Sequence, residues 1–498
     1  MTVSQAETHY LDYFVIILNI IVILFLVALN GFFVASEFSI VKVRPSRLDT
    51  LIKEGSKSAV YARQVTEHLD AYLSVTQLGI TLASLGLGWI VSRERFLRDS
   101  RTVDLLKLRA SVGKNGWDPM GEMRYLWEGY YTGRGGLNTG NSEHTWHGGT
   151  ALSYLPNPGI FAEKSLKYDA GIDLRLWNRL SLNVDLFLEK RSGIVTQDWM
   201  IPGASGVDNP PYRNIGRMTN KGFEVQLSWA DRIGDFNYAL TGMASYNSNK
   251  VDYMAEVVTV PTAARTGRRL DALFGYVADG FYDWDDFDVG GELREGLPKP
   301  TFGAVQPGDI KYKNLNGDTV IDENDQTAIG DSYLPKLQYS FSLAASYKGF
   351  DLFALFQGAA GRDVNLLDAP LQNIAFRDNG NVYGIAEGRW AYYPEQGIDT
   401  RATATYPRLS LQDNSNNYRN STLWKRSGDF LKLRNVELGY TFAQPSLSKA
   451  GISKIRIYLS GVNLLTVSKL MRDYDIDPEI LSGHPALKSY NLGLTVTF

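Results

Sequence analysis

From about Leu105 to Phe498 apolar side chains recur at every second residue, and that period dictates a β architecture. The ending states it most plainly. Tyr490, Leu492, Leu494, Val496 and Phe498 fall on one face of an extended strand; Asn491, Gly493, Thr495 and Thr497 fall on the other. A strand that is apolar on one side, small or polar on the other, and aromatic at its carboxy-terminus suits the last strand of an outer-membrane barrel, with lipid outside and water within.

The same alternation is repeated upstream. Tyr168, Ala170, Ile172, Leu174 and Leu176 alternate with Lys167, Asp169, Gly171, Asp173 and Arg175. After a turn at Trp177-Asn178-Arg179, Leu180, Leu182, Val184, Leu186 and Leu188 form the next apolar face. Phe223, Val225, Leu227 and Trp229 form another, and the turn at Asp231 to Asp235 leads to Phe236, Tyr238 and Leu240. Leu337 to Tyr347 runs into a tight Lys348-Gly349 turn and returns through Phe350 to Phe356. Strands of about ten residues span an outer membrane when tilted. Short turns alternate with long connections, as at Asn249 to Asn316 and Gly358 to Ser421. A soluble β-sandwich is the alternative, but strands this long are unusual there. The expectation is a mainly β chain whose residues 91–498 build part of an antiparallel transmembrane β-barrel of about a dozen strands.

Residues 1–90 read differently. Tyr13 to Ala35 is an uncharged run, long enough to cross a hydrocarbon core of about 30 Å as a helix. It is too long for a secretory signal; Glu7 and Asp12 precede it in place of cations, and no small-residue cleavage site follows. Lys42, Arg44, Arg47, Lys53 and Lys57 come next, which places them on the cytoplasmic side. Ser46 to Leu69 suits short surface helices, and Tyr72 to Val91 is a second uncharged stretch with small residues that permit close helix packing.

Composition narrows the chemistry. A net charge of −3 gives no electrostatic case for nucleic acid. The chain has no cysteine, so disulfides, thiolate metal sites and a Cys nucleophile are excluded. Its 28 Tyr, 22 Phe, 10 Trp and 47 Gly suit aromatic girdles and tight turns. His68, His144, His147 and His484 are isolated or in loops, and no nucleophile–base order or paired carboxylates can be read, so the chain is expected not to be an enzyme.

One loop has metal-ligand spacing. In Asn314 to Asp325, side-chain oxygens of Asn314, Asn316, Asp318, Asp322 and Asp325 and the carbonyl of Val320 fall at calcium-loop positions. Asn314, Thr319 and Asp325 depart from the best residues there, and an acidic, turn-rich loop without metal is the competing reading. Trp127, Tyr130, Tyr131, Trp146 and Trp390 suit girdle and loop-packing roles, and the transporter resemblance described next implies a second role for them, stacking on sugar rings.

Two families are visible in the residues. Leu29 to Phe38, Val43-Arg44, Arg47-Leu48 and Ser74 to Thr81 resemble the CNNM/CorC transmembrane domain. That resemblance implies divalent-cation transport, magnesium above all, with Ser36 at a position associated with the ion site. Asn30 and Glu37 are polar groups in or near the apolar run, and such groups are costly in lipid unless they have a role; bridging helices is the plainer one for Asn30 and Ser36. The family's remaining helices and its nucleotide-binding modules are not matched. Glu163 to Tyr168, Glu189 to Arg191, Asn214 to Gly216, Asn220 to Glu224, Pro307 to Tyr312, Phe430 to Tyr440 and Lys488 to Gly493 resemble SusC/RagA-type TonB-linked transporters. This second resemblance implies energised import of glycan or peptide fragments, a SusD-like lipoprotein lid and TonB, although the TonB-contacting segment is not matched and the barrel is expected to be incomplete.

The two resemblances meet at Leu87-Gly88-Trp89-Ile90 with no Pro-, Gly- or Ser-rich spacer. The expectation is a chimera joined at a short shared sequence. Localisation then conflicts, since the barrel points to the outer membrane and the helices to the inner one. The strand ending at Phe498 would offer a pairing edge to the barrel-insertion machinery.

Overall fold

The computed structural model describes residues 25–26, 29, 32, 52, 56–67, 102–117, 126–129, 131–140, 145–152, 155–201, 209–257, 260–368, 381–411, 414–442, 451–484 and 486–498. Most of the apolar run 13–35, the second stretch 72–91, Ser36 and the junction 87–90 lie outside them. Phe25, Leu26, Leu29 and Phe32 are helical, and α1 spans Lys57–Glu67. Among the described residues no helix is long and apolar enough to cross a membrane, which says nothing about crossing by strands.

Ten long strands share one sheet, and their order in the sheet is their order in the chain. They are β1 (Val103–Trp117), β2 (Glu163–Leu176), β3 (Leu180–Gln197), β4 (Tyr212–Ile233), β5 (Phe236–Tyr253), β6 (Leu337–Tyr347), β7 (Phe350–Ala360), β8 (Phe430–Phe442), β9 (Lys454–Ser468) and β10 (Ser489–Thr497). The sheet is therefore an up-and-down meander of ten strands, where the sequence suggested about a dozen. The difference lies in the long connections, whose short strands pair off as two-stranded ribbons outside the sheet. β1 and β10 are not paired with each other, so the described strands do not close into a barrel.

Local chemistry fixes the hairpins. Lys348 (φ 45°) and Gly349 (φ 90°) both take the left-handed conformation between β6 and β7, as do Trp177 (φ 55°) and Asn178 (φ 52°) between β2 and β3. Two central residues with positive φ match the right-handed twist of the flanking strands. β6 and β7 then pair residue for residue over eleven positions, from Tyr347↔Phe350 to Leu337↔Ala360.

The chain divides into two compact units. The first takes in Met1–Trp117, Lys164–Glu189 and Val225–Trp229. Within it Arg109 bridges Asp173 and Asp185, each at 2.9 Å. The second takes in Asp118–Glu163, Lys190–Glu224 and Ala230–Phe498. It holds β5 to β10, which are antiparallel throughout. It also holds a packed body made from the β5–β6, β7–β8 and β9–β10 connections. Tyr276, Ile310, Ile321, Leu366, Trp424 and Leu470 are among that body's buried core.

Candidate functional site

The register of the second unit sorts its wall into two faces. Phe236, Tyr347, Phe350, Tyr440, Ile457 and Leu494 are successive cross-strand neighbours in one row, and Tyr238, Ala345, Leu352, Leu438, Leu459 and Leu492 form the next. Phe350 and Tyr440 lie 4.5 Å apart between ring centroids, and Tyr440 meets Phe442 edge-on at 4.5 Å. These side chains are partly or fully exposed; Leu492 is 78% exposed. A continuous apolar face of this extent marks a surface that meets a membrane or another protein. The first row, rich in aromatic rings, sits beside the short turns, where a girdle meets the membrane interface.

The opposite face is polar. Asn237, Ser346, Asp351, Gly439, Tyr458 and Gly493 are neighbours in one of its rows. Glycine is needed there. An added Cβ on Gly439 would meet the Arg456 and Asp351 side chains, and one on Gly493 would meet the Tyr458 ring. With those positions bare, Arg456 reaches across β8: its Nε donates to Asp351 at 3.0 Å, and its Nη2 donates to Asp351 and to Glu437. Its guanidinium also lies 4.8 Å from the Tyr458 ring centroid. Gly171 gives the same room to Arg109 and Asp185 in the first unit.

At the long-loop end of this face a bulge sets a second charged cluster. The β8 register shifts between Leu433 and Asn435, and Asn463 takes φ 53°, a conformation Asn tolerates. Lys432 is fully buried, and its Nζ donates to Asp477 and Glu479, both at 2.7 Å. Arg434 donates to Glu479, to Gln357 at 2.9 Å and to Asn463 at 3.1 Å. Burial pushes the Asp477 carboxyl up, but the Lys432 hydrogen bond and backbone donors outweigh it and hold the carboxyl below its ordinary value. For Glu479, burial is likewise outweighed, here by Arg434 and Lys432. The β9–β10 connection is thereby tied to the polar face of the wall.

A third polar centre organises the loop body. Asp309 is fully buried and accepts from Arg408 Nε at 2.6 Å, Asn414 Nδ2 at 3.0 Å, Asn417 Nδ2 at 2.9 Å and the Gln306 amide at 2.8 Å. Ile310 N donates to Asn417 Oδ1, and Tyr312 donates to the Asn416 carbonyl. Gly308 (φ 90°) lies under Trp390, with 2.5 Å between its would-be Cβ and the ring. The motif Pro307 to Tyr312 is thus the keystone that joins the β5–β6 and β7–β8 connections.

The residues singled out in the sequence are placed unevenly. Tyr490, Leu492, Leu494 and Phe498 are exposed on the apolar side of the last strand, with Val496 half-buried. Trp390 is buried loop packing, whereas Trp127, Tyr131 and Trp146 are exposed; Tyr130 and Ser36 lie outside the described residues. In the loop 314–325 the polar groups face their own backbone. Asn314 Oδ1 accepts from Gly317, Asn316 Oδ1 from Asp318, Asp318 Oδ1 from Val320, and Asp322 Oδ1 from Asn324. Asp325 accepts from Leu315 and Asp322 amides. Among the described residues no group of three His, Asp or Glu could hold a metal ion. Sequence reasoning missed the roles of Lys432, Arg456 and Asp309. A signal for Lys432 existed, a cation on the same strand face as Phe430 and beside apolar Leu431 and Leu433.

The meander, its two-faced wall and its long loops on one end match a known family. The model for the TonB dependent receptor-like β-barrel covers residues 70–464. The chain belongs to that family. The Cyclin M transmembrane N-terminal domain model matches residues 21–94, so the two matches overlap over 70–94. Both halves of the chimera are therefore real resemblances. TonB-dependent receptor P26 of Formosa agariphila is 29% identical over 448 residues, covering 83% of this chain and 42% of that protein. UPF0053 protein YhdT of Bacillus subtilis is 61% identical over 70 residues, covering 14% of this chain and 15% of that protein. A solved structure of the RagAB peptide importer in its "open-open" state superposes with a TM-score of 0.57 at 22% identity, over 81% of this chain and 41% of that one. That likeness carries the fold. The chain spans about two fifths of the length of the barrel relatives it matches.

Proposed function

We propose that residues 91–498 serve as wall and loops of a TonB-dependent importer that carries glycan or peptide fragments across the outer membrane, without catalysis. The observation behind this reading is the register of β5 to β10, with an apolar outer face, a polar inner face and long connections at one end. A SusD-like lipoprotein over the long loops, TonB as the energy source and the barrel-insertion machinery at Tyr490 to Phe498 belong to the same proposal.

Residues 1–90 support a second reading, divalent-cation transport with Ser36 near the ion, because that segment is 61% identical to a relative over 70 residues. The membrane assignment separates the two. Expressed in full in a Gram-negative host, the chain is expected in the outer-membrane fraction, migrating differently before and after boiling. Recovery in the inner-membrane fraction, with migration unaffected by heat, would favour the helical segment as the determinant.

A further inference from the structure

The apolar face of β5 stops at a defined height. It opens beside the short turn at Phe236 and closes at Tyr246, a stretch that matches the about 9–11 residues a strand needs to cross a bilayer. There Tyr246 stacks on Phe223 of β4, with 5.6 Å between ring centroids. Beyond that pair the same face turns polar. Lys221, Thr219 and Arg217 follow on β4; Ser248, Lys250 and Asp252 follow on β5. The Thr219 hydroxyl donates to Asp252 at 2.6 Å, which fixes these two sets of residues on one side of the sheet. All of them belong to the second unit.

We propose that this step, built on Lys221 and Lys250, docks the phosphorylated headgroup of a membrane lipid in the leaflet on the long-loop side; the inference rests on the outer-membrane placement in the import reading.

The charges are available. Lys221, Lys250 and Arg217 are exposed, and among the described residues no ion pair holds them. Arg213, further along β4, is instead committed to Asp198 at 2.6 Å. The carboxylate of the step, Asp252, is engaged by Thr219, so cations dominate. The Ser248 hydroxyl adds a donor beside them, and charged donors make the strong hydrogen bonds to phosphate oxygens.

The position favours a lipid over a free ion. Exposed ammonium groups hold a small anion weakly in water, because salt screens them. A lipid gains more, since its acyl chains cover Leu240 and Tyr238 on the same face of β5 while its headgroup meets the lysines. Lysine suits this boundary, with its stem along apolar surface and its ammonium in water. The stacked Phe223 and Tyr246 rings lie between the two zones, where aromatic side chains collect at a membrane interface.

The test uses the full chain in detergent, first checked for heat-modifiable migration. It is titrated with lipid A carrying two phosphates, with phosphatidylcholine and with inorganic phosphate, and bound molecules are counted by native mass spectrometry. Lipid A is expected to bind, with affinity falling about fivefold for each of Lys221→Gln and Lys250→Gln. Lys454→Gln, an exposed lysine beside the short turns, should leave it unchanged. Phosphatidylcholine and inorganic phosphate should bind more weakly and respond to neither variant. Lipid A binding indifferent to both variants, no lipid A binding by heat-modifiable protein, or inorganic phosphate held through the two lysines as tightly as lipid A would overturn the proposal. Protein that never becomes heat-modifiable would instead contradict the import reading beneath it.

Discussion

An added Cβ on Gly439 would stand 2.6 Å from Nη2 of Arg456, so the guanidinium fills the space a side chain at 439 would take. The glycine is what lets one cation on β9 cross β8 and hold a carboxylate on β7. Gly439→Val should displace Arg456 from Asp351 and Glu437. The three side chains are about a third exposed, so the loss should be modest, about 1–2 kcal/mol. Urea unfolding of the refolded chain measures it, and Arg456→Ala in the Gly439→Val background should cost little more.

Lys432 is the reverse case, because it is fully buried. Lys432→Met leaves Asp477 without its cation, while Glu479 keeps Arg434, and should destabilise by about 3–5 kcal/mol, the usual cost of removing one partner from a buried charge group. The loss should appear first as faster hydrogen exchange in residues 476–488.

The same cluster predicts a pH response. Asp477 and Glu479 have folded-state values held below their ordinary ones. Their contribution is therefore present above the ordinary carboxylate range and is lost as pH falls through the lowered values. Proteolytic nicking in 476–488 should be steady near neutrality and rise on acidification below about pH 4. In Lys432→Met, where burial acts on Asp477 without its cation, that rise should be reduced or absent.

The loop 314–325 gives a direct comparison. Its carboxylates and amides already cap their own turns, so calcium would have to displace those hydrogen bonds. The melting temperature of the full chain is expected to be the same in calcium and in chelator. A calcium-dependent rise abolished by Asp318→Asn would show that the loop rearranges around an ion.

Much of this fold was legible because strand alternation survives in the sequence. Leu337 to Tyr347, the Lys348-Gly349 turn and the return from Phe350 can be read directly, since every other residue faces one solvent. β4 was legible only at Phe223 to Trp229; upstream, Lys221, Thr219 and Arg217 interrupt the apolar face, and pairing extends the strand to 22 residues. The polar clusters were not legible as clusters. Lys432 and Asp477 are 45 positions apart, and Arg456 and Asp351 are 105 apart. Only a register with its bulge brings them together, and no local spacing encodes that.

β5 to β10 are expected to separate lipid from water, and the cysteine-free chain allows a direct test. Single cysteines at Leu459 and Leu492 on the apolar face, and at Ser460 and Thr495 on the polar face, would be probed with a water-soluble maleimide in membranes containing the full chain. Labelling at 460 and 495 with protection at 459 and 492 is the predicted result. Equal labelling at all four positions, or protection of the polar pair, would show that these strands do not part lipid from water.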